Sequence, residues 1–387
     1  MPITVVDLFS GCGGMSLGMH QAASALNLEA TTVAAVDNWT AACDSFEANL
    51  GVKPICAPVT AKRLRTLAGK IGKVDLLLGG PPCQGFSTVG NRAIDDPRNK
   101  LVKAYISAVR LLRPTCFVME NVSGFVSMQQ GKIFTDVIRS AERLGYEVHA
   151  GILLASAYGV PQHRRRCFIV GVPKGTGFVF PVGTAKLVAP AHARLEVDVR
   201  PEHSTISKLI SFNDATSDLP ALLMGGSSSS YQSPARNTYQ RRMRKGSKRL
   251  TEHAAKSHNS RLAKLIPYIP EGSSAHDPVV YASIPQNLRP TSGFSNTYAR
   301  IRGSDPSPTI TRNFATPSAA NCIHPKQDRA LTLREAARCQ SFPDTYAFSG
   351  TASERRLQVG NAVPPMLAEA LLAPVLKIAA SAQVGPQ

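Results

Sequence analysis

The segment that decides the fold runs from Asp7 to Gly18 and reads DLFSGCGGMSLG. It lies between an apolar run, Ile3–Phe9, that predicts a strand and a pattern that predicts a helix. Glycines at such a junction let a ligand approach the backbone closely, and the start of a helix offers unpaired N–H groups. The spacing G-x-G-G-x-x-x-G departs from the dinucleotide fingerprint G-x-G-x-x-G, which argues against NAD. The segment predicts an α/β fold with a ligand-binding loop after its first strand.

Outward from this segment, apolar runs alternate with helical patterns such as Asn99–Leu112 and Lys132–Leu144. This alternation predicts an open, mostly parallel sheet with helices on both faces. The strands are predicted at Ile3–Phe9, Thr31–Val36, Val74–Leu78, Cys116–Met119, Val148–Leu154 and Cys167–Val172.

Four candidate functional residues, Asp7, Asp37, Cys83 and Glu120, lie at or after the ends of predicted strands. In open α/β sheets, ligands bind in the crevice outside the carboxyl ends of the strands. We therefore expect these four residues to contribute to one site. Asp37, at the end of the second strand, suits the hydroxyl groups of a ribose.

Cys83 lies in the loop Gly79–Ser87, GGPPCQGFS, where two glycines and two prolines constrain the backbone around it. Only about 3% of a free thiol is ionised at pH 7, and a nearby N–H group or arginine raises that fraction. This setting favours a nucleophile over an inert packing residue. The other cysteines form no C-x-x-C pair, so we expect reduced core thiols and no metal site.

Two further motifs contain charged candidates. Glu120 begins the triplet ENV, where a buried carboxyl group is expected to donate a proton or hydrogen bond; helix capping or an ion pair is the alternative. If the run Gln162–Arg166 is extended, Gln162, Arg164 and Arg166 share one face. Two aligned guanidinium groups bind an anion or a pyrimidine carbonyl, whereas the alternative is a plain basic run.

The charge of the chain indicates its partner. Its 387 residues include 44 Lys and Arg against 26 Asp and Glu, giving a net charge of +18 and a pI near 9.8. This balance favours nucleic acid as the partner over an indifferent basic surface. Residues 236–249 form a basic segment that we interpret as a phosphate-binding surface, with a solvated loop as the alternative. Its cations are Arg236, Arg241, Arg242, Arg244, Lys245, Lys248 and Arg249.

These strings together resemble the C5-cytosine DNA methyltransferases, in the order typical of the family and over most of the chain. DLFSGCGG is similar to the S-adenosylmethionine motif, PPCQGFS to the catalytic loop, ENV to the cytosine-binding glutamate motif and QHRRR to the arginine motif. Residues 329–344, RALTLREAARCQSFPD, and residues 360–365, GNAVPP, resemble the last two motifs. The resemblance implies an α/β sheet of the S-adenosylmethionine-dependent methyltransferase type, with a second, smaller target-recognition domain.

The resemblance also implies a covalent mechanism. Cys83 would attack C6 of a cytosine flipped out of duplex DNA, because C6 is unreachable while the base is stacked. Glu120 would hold N3 and Arg166 would contact O2, with Arg164 orienting the glutamate. C5 would then take the methyl group, and loss of the C5 proton would release the enzyme. C5 is a poor nucleophile before the thiolate adds, so the covalent route replaces one difficult step with easier ones.

The family pattern assigns S-adenosylmethionine-binding positions as well. Phe9 would pack on the adenine and Asp37, shorter than the usual glutamate, would bind the ribose. Pro58 stands where the family usually has an acidic residue that touches the adenine amino group. The other implied positions are Ser10, Gly11, Cys12, Gly14, Asn38, Val59, Pro82, Leu101, Asn361 and Val363.

On this basis we predict a catalytic and cofactor-binding domain over residues 1–180, a basic DNA-binding target-recognition domain over 181–345 and a C-terminal segment returning to the catalytic domain over 346–387. No stretch approaches 18 uncharged apolar residues and no basic region precedes the first apolar run, so we expect neither a membrane span nor a secretory signal. The expected protein is a monomer in the cytoplasm of a bacterium or phage host, near the nucleoid. A separately encoded restriction endonuclease is a candidate partner.

Two other functions stay open at this point. A tRNA-methylating branch of the family shares the chemistry, and a catalytically silent DNA-binding relative would share the fold. GFS after Cys83-Gln84 and the long basic middle of the chain favour DNA. The presence of Cys83, Glu120, Arg164 and Arg166 favours an enzyme.

Overall fold

The structure, a computed structural model, describes residues 1–82, 99–181, 208–291 and 293–384. Cys83 therefore lies outside the described residues. By their internal contacts, the residues form two compact units. The first unit comprises Met1–Tyr158, Arg165–Thr205 and Pro365–Gln387, and the second comprises Gly159–Arg164 and Ile206–Pro364.

The first unit is built on a seven-stranded sheet. Its strands are β1 (Ile3–Leu8), β2 (Ala30–Asp37), β3 (Ile55–Cys56), β4 (Leu76–Gly79), β5 (Cys116–Val122), β6 (Tyr146–Leu154) and β7 (Arg165–Pro173). Their order across the sheet is β3-β2-β1-β4-β5-β7-β6, and β7 alone runs antiparallel to its neighbours. The sheet is thus mostly parallel, as the alternating pattern predicts, with one reversed strand that the pattern does not reveal.

Six long helices pack around this sheet: α1 (Gly14–Ala25), α2 (Thr40–Leu50), α3 (Ala61–Ile71), α4 (Asn99–Leu112), α5 (Lys132–Arg143) and, much later in the chain, α12 (Pro365–Val384). Leu77 of β4 and Phe117 of β5 share a core with Val109 of α4 and Val137 of α5. Strands covered by helices are apolar along their length rather than alternating. This explains why the predicted strands appear as continuous apolar runs.

Helices α1 and α12, at opposite ends of the sequence, pack closely together. A Cβ atom at Gly18 of α1 would lie 2.5 Å from the Cβ of Ala368 in α12, so this approach requires glycine. Pro365–Gln383 is long and apolar enough to cross a membrane, although it contains Glu369 and Lys377. Because Leu371 of this helix is fully buried in the first unit, we interpret α12 as a core helix.

The second unit consists of short elements. They are α6 (Phe212–Thr216), α7 (Thr238–Arg244), α8 (Ser260–Leu265), α9 (Pro278–Ser283), β8 (Ala299–Arg300), β9 (Asn321–Ile323), α10 (Leu333–Cys339) and α11 (Ala352–Asn361). Arg338 of α10 is fully buried and lies 2.5 Å from Asp218 and 2.6 Å from Asp344. Buried charges require such partners, so these ion pairs help to fix the packing of the short elements, together with buried apolar side chains such as Phe212 and Met243.

The six strands predicted from the sequence are all present, with bounds that differ by a few residues. Helix α4 has the predicted bounds, whereas the two-residue strand β3 was not predicted. Residues 346–364, which we assigned to the returning C-terminal segment, group with the second unit, and the chain rejoins the first unit at Pro365. The functions assigned to the predicted domains stay predictions.

Candidate active site

The predicted site residues of the first unit lie at the carboxyl edge of its sheet. Asp7 is the penultimate residue of β1, and Asp37 is the last residue of β2. Glu120 lies within β5, opposite Phe168 of β7, because β5 continues three residues beyond its predicted end. β1 and β4 are neighbours at the centre of the sheet, where the strand order reverses. Such a reversal point is where α/β proteins bind ligands.

The carboxylate of Asp37 holds the loop that follows β1. Its Oδ2 atom accepts a hydrogen bond from the N–H of Gly11 at 2.8 Å, and its Oδ1 atom accepts one from the N–H of Trp39 at 2.9 Å. Burial raises the pKa of Asp37, and these N–H groups oppose the rise. Phe9 has a φ of 57°, a strained conformation for a residue other than glycine. Strain of this kind often accompanies ligand-binding loops.

Asp7 is fully buried at the end of β1. Its Oδ2 atom accepts a 2.6 Å hydrogen bond from the hydroxyl group of Ser16 in α1. Burial raises the pKa of Asp7 to about 7. Within the part of the chain that the structure describes, the buried Oδ1 atom of Asp7 and the buried Oγ atom of Ser10 have no hydrogen-bond partner. Two buried polar atoms near the end of β1 therefore lack a hydrogen-bond partner among the described residues.

Glu120 forms an ion pair with Arg166, the second residue of β7. The Nε atom of Arg166 lies 2.8 Å from Oε1 of Glu120, and the side chains are 14% and 12% exposed. Burial lowers the pKa of Arg166, and the neighbouring carboxylate of Glu120 opposes this shift. A Cβ atom on Gly80 would lie 3.2 Å from Oε2 of Glu120. The backbone after β4 thus passes directly beside the carboxylate.

Asn121 lies beside Glu120 in the ENV motif. It is buried, and its side-chain amide donates a 3.1 Å hydrogen bond to the carbonyl oxygen of Pro81. This bond joins the ENV triplet to the segment that precedes Cys83. In the sequence, Asn121 is only an amide beside a candidate carboxylate. Its hydrogen-bond partner, Pro81, lies 40 positions away, and no spacing along the chain identifies it.

Arg164 belongs to the second unit and is fully buried. Its terminal nitrogens donate hydrogen bonds to the carbonyl oxygens of Ile310, at 3.0 Å, and Gly360, at 2.9 Å. Gln162, also in the second unit, donates to the carbonyl oxygen of Cys339 at 3.1 Å. The run is therefore divided, since β7 begins at Arg165 in the first unit. The common face predicted for Gln162, Arg164 and Arg166 stays a prediction.

The other predicted cofactor residues are divided between the units. Cys12 is buried, and burial raises the pKa of its thiol to about 12, so this side chain stays protonated. Gly14 begins α1. The structure places Asn38, Val59, Pro82 and Leu101 in the first unit, and Asn361 and Val363 in the second. Their contacts with a cofactor stay predictions.

Comparison with known families identifies this arrangement. The family model of the C-5 cytosine-specific DNA methylases matches residues 3–377. The chain belongs to the C-5 cytosine-specific DNA methylase family. Its relatives include the type II methyltransferase M.AgeI of Thalassovita gelatinovora, 34% identical, with 97% of this chain and 99% of the relative covered. M.DdeI of Desulfomicrobium norvegicum is 36% identical, with 95% of this chain and 87% of the relative covered.

Solved structures show the same fold. A prophage-encoded methyltransferase of E. coli superimposes with a TM-score of 0.72 at 22% identity, covering 97% of this chain and 99% of that one. The Dnmt2 methyltransferase of S. pombe gives a TM-score of 0.61 at 18% identity, covering 97% and 98% of the two chains. The predicted methyltransferase fold is therefore confirmed. Because these identities are low, the two likenesses concern the fold alone.

Family membership and the named relatives establish the reaction. The protein transfers the methyl group of S-adenosylmethionine to C5 of cytosine in DNA. The predictions of family, enzyme activity, cofactor and DNA substrate are confirmed. The two alternatives left open by the sequence, a tRNA methyltransferase and a silent DNA-binding relative, are not supported by these matches.

The described residues of the first unit fit S-adenosylmethionine. When bound, this cofactor supplies an electrophilic methyl group on a positively charged sulfur. The carboxylate of Asp37 suits a cationic ligand with ribose hydroxyl groups, and the unpartnered Oγ of Ser10 offers a further hydrogen bond. Gly13, which precedes α1, provides no side-chain cap, so the positive end of the helix dipole is available to a carboxylate of the ligand.

Replacement of Asp7 with asparagine is expected to flatten the pH dependence of stability. The pKa of Asp7 is raised from 3.8 to about 7 in the folded protein, so the folded state binds the proton more tightly than the unfolded state. Stability from this group is complete below pH 4 and is lost as the pH rises to 7, by up to roughly 4 kcal/mol. Calorimetric melting of the cofactor-free protein between pH 5 and 8 measures this slope.

The control for this experiment is Asp136→Asn, which removes an exposed carboxylate from α5. It should retain the slope of the unsubstituted protein. Equal slopes for Asp7→Asn and the unsubstituted protein would show that Asp7 is already ionised when folded.

Proposed function

We propose that Cys83 is the nucleophile that adds to C6 of the target cytosine, with Glu120 at N3 and Arg166 at O2. The observation that carries this proposal is the Glu120–Arg166 ion pair at the carboxyl edge of the sheet, beside the backbone that leads to Cys83. Glu120 and Arg166 offer a carboxyl group and a guanidinium group to adjacent atoms of one pyrimidine edge. The family resemblance assigns Arg164 to orienting Glu120; its described hydrogen bonds run to the carbonyl oxygens of Ile310 and Gly360, within the second unit.

The described cysteines support this assignment to Cys83. Six of them are buried, and burial raises the pKa of each thiol, which opposes formation of a thiolate. They are Cys12, Cys43, Cys116, Cys167, Cys322 and Cys339. Cys56 is exposed, but it lies in the edge strand β3 and outside the PPCQGFS motif. Cys83 is therefore the best candidate for the attacking sulfur.

The electrons and protons balance over the proposed cycle. The Cys83 thiolate would form a bond to C6, and the resulting electron density would move to C5. C5 would take the methyl group from the sulfonium of bound S-adenosylmethionine, and the electron pair of the broken S–C bond would stay on sulfur in neutral S-adenosylhomocysteine. A base then removes the C5 proton, the bond to sulfur breaks and the double bond is restored. Glu120 would assist by a hydrogen bond at N3, where charge develops when the thiolate adds.

Trapping with fluorinated DNA tests the proposal. Fluorine at C5 of the target cytosine cannot leave as a proton does, so the enzyme should remain covalently attached after methyl transfer. Mass spectrometry of the digested complex should locate the attachment at Cys83. Attachment at another residue, or methylation of ordinary DNA without any trapped complex, would contradict the mechanism.

We also propose that the second unit contacts DNA through the exposed part of the basic segment 236–249. From the sequence alone, Arg244 groups with the other cations of the segment, but we exclude it from this surface because its side chain has partners within the protein. It lies 3.2 Å from Asp218 and stacks 3.7 Å above the ring of Tyr231. Arg241 and Lys248 are exposed and have no described ion pair. These exposed cations are better placed to meet phosphate groups.

Replacement of Arg241, Lys245 and Lys248 with alanine should weaken binding to all DNA sequences alike. The slope of log affinity against log salt should flatten by roughly one unit for each lost phosphate contact. Fluorescence anisotropy over a salt series measures this slope. The matched control replaces Lys62, Arg65 and Lys70 of α3.

An unchanged slope in the 241/245/248 variant would mean that the segment is only solvated. A slope that flattens equally in the control would mean that the loss reflects net charge rather than a defined surface.

We propose a monomer that acts in the cytoplasm on duplex DNA, in which it selects a specific sequence and flips the target base. Relatives named type II methyltransferases support a separately encoded endonuclease as partner. Size-exclusion chromatography with light scattering tests the first of these, and bisulfite sequencing of methylated DNA gives the recognition sequence.

A further inference from the structure

A groove between α4 and α5 in the first unit has no part in the chemistry described above. It encloses a cavity of about 610 Å³. Its floor is apolar and is formed by the half-buried Ile133 of α5 with the buried side chains of Val102 and Ile106 of α4 and Val137 of α5. On each helix the two floor residues are four positions apart, so they lie on one face.

The walls of the groove are cationic. Five basic side chains line it, against the single carboxylate of Asp136. In the part of the chain that the structure describes, none of the five forms an ion pair within 4.0 Å. They are Lys103, Arg110, Lys132, Arg139 and Arg143. Unpaired cations around a concave surface favour an anionic occupant.

The cations repeat at the same interval on both walls. Lys103 and Arg110 are seven residues apart on α4, and Lys132 and Arg139 are seven residues apart on α5. Seven residues are two turns of helix, or about 10.5 Å. Carboxylates seven residues apart on another helix have the same separation. The apolar floor lies between these cations, as an apolar stripe lies between charged flanks on an amphipathic helix.

We propose that this groove binds an acidic amphipathic helix of a partner protein. The partner would place apolar side chains on the floor and Asp or Glu residues against the two walls. A second copy of this chain is a poor occupant, because no helix in its described residues has more than two Asp or Glu residues. Nucleic acid is also disfavoured, since an apolar floor offers nothing to phosphates and the lining includes no aromatic ring for a base.

A second observation marks the mouth of the groove. Gln129, which lines the cavity, has a φ of 47°, followed by Gln130 at 58° and Gly131 at 83°. Two consecutive non-glycine residues in this region cost about 1–3 kcal/mol each. These residues directly precede α5, and Gln129 is exposed.

A synthetic helical peptide of about 21 residues, with leucines along one stripe and glutamates flanking it at intervals of seven, serves as the probe. Its binding to the full-length protein is followed by fluorescence anisotropy. The double variant Arg110→Glu/Arg139→Glu reverses one cation on each wall and should weaken binding by about 10-fold or more. The matched control Arg65→Glu/Lys70→Glu reverses two exposed cations on α3 and should stay within about 2-fold of the unsubstituted protein.

Two further measurements distinguish specific binding in this groove from non-specific electrostatic attraction of the acidic peptide to a basic protein. Ile133→Lys should also weaken peptide binding, although it adds positive charge. A scrambled peptide of the same composition should bind at least about 10-fold more weakly than the probe, because its apolar stripe is lost. Equal binding of the scrambled peptide, or equal losses in the groove and control variants, would overturn the proposal. Loss of affinity for duplex DNA only in Arg110→Glu/Arg139→Glu would identify a nucleic-acid surface instead and would also overturn it.

Discussion

Replacement of Cys83 with serine is expected to abolish methyl transfer, with a loss of rate on the order of 10³-fold or more. A serine hydroxyl group keeps its proton at neutral pH and adds poorly to C6, so C5 would never become nucleophilic. The covalent complex with fluorinated DNA should disappear with the activity. Single-turnover transfer of a tritiated methyl group measures the rate.

Affinity separates this chemical loss from a loss of structure. The Cys83→Ser variant should bind DNA and S-adenosylmethionine with constants close to those of the unsubstituted protein, because the described cofactor loop and basic segment are unaltered. The matched control is Cys56→Ser, which alters the exposed cysteine among the described residues and should retain full activity. A fully active Cys83→Ser enzyme would exclude the proposed nucleophile.

Replacement of Glu120 with glutamine is expected to lower the single-turnover rate by roughly 10² to 10⁴-fold, the usual contribution of a positioned acid or base. Cytosine N3 is a hydrogen-bond acceptor, so Glu120 must carry a proton as charge develops there. Glutamine retains the shape and a hydrogen-bond donor but cannot transfer a proton. It can also still accept from Arg166, whose Nε lies 2.8 Å from the carboxylate.

The same substitution should alter binding much less than rate. Dissociation constants for DNA and for S-adenosylmethionine should change by only a few fold, and Glu142→Gln on the exposed surface of α5 should alter neither rate nor binding. If the single-turnover rate of Glu120→Gln equals that of the unsubstituted enzyme, Glu120 only positions Arg166 or the base.

The strands of the sheet could be predicted because each is marked by a pattern of neighbouring residues in the sequence. Buried parallel strands need continuous apolar runs, and β4 and β5 display them within a few residues. The strand β3 has only two residues and is too short to give such a signal. The reversed direction of β7 depends on its pairing with β5 across about 50 residues, which no local pattern records.

The chemical identity of the site residues could be predicted, but the partners of their side chains could not. Arg164 and Arg166 are two residues apart and look equivalent in the sequence. In the structure, Arg166 forms an ion pair with Glu120, whereas Arg164 donates hydrogen bonds to carbonyl groups 146 and 196 positions away in the sequence. In the sequence Arg244 is one more cation in a basic run, whereas in the structure it contacts Asp218 and Tyr231.

The contact between α1 and α12 has a consequence for biosynthesis. Helix α12 fills the space beside the glycine-containing helix α1, so the first unit has no complete core until Pro365–Val384 has left the ribosome. Domains generally fold as units while the chain emerges, from the N-terminus onward. Here, all of the second unit is translated before the first can close. A nascent or prematurely terminated chain that lacks Pro365–Val384 would therefore expose the apolar side of α1 that this helix covers.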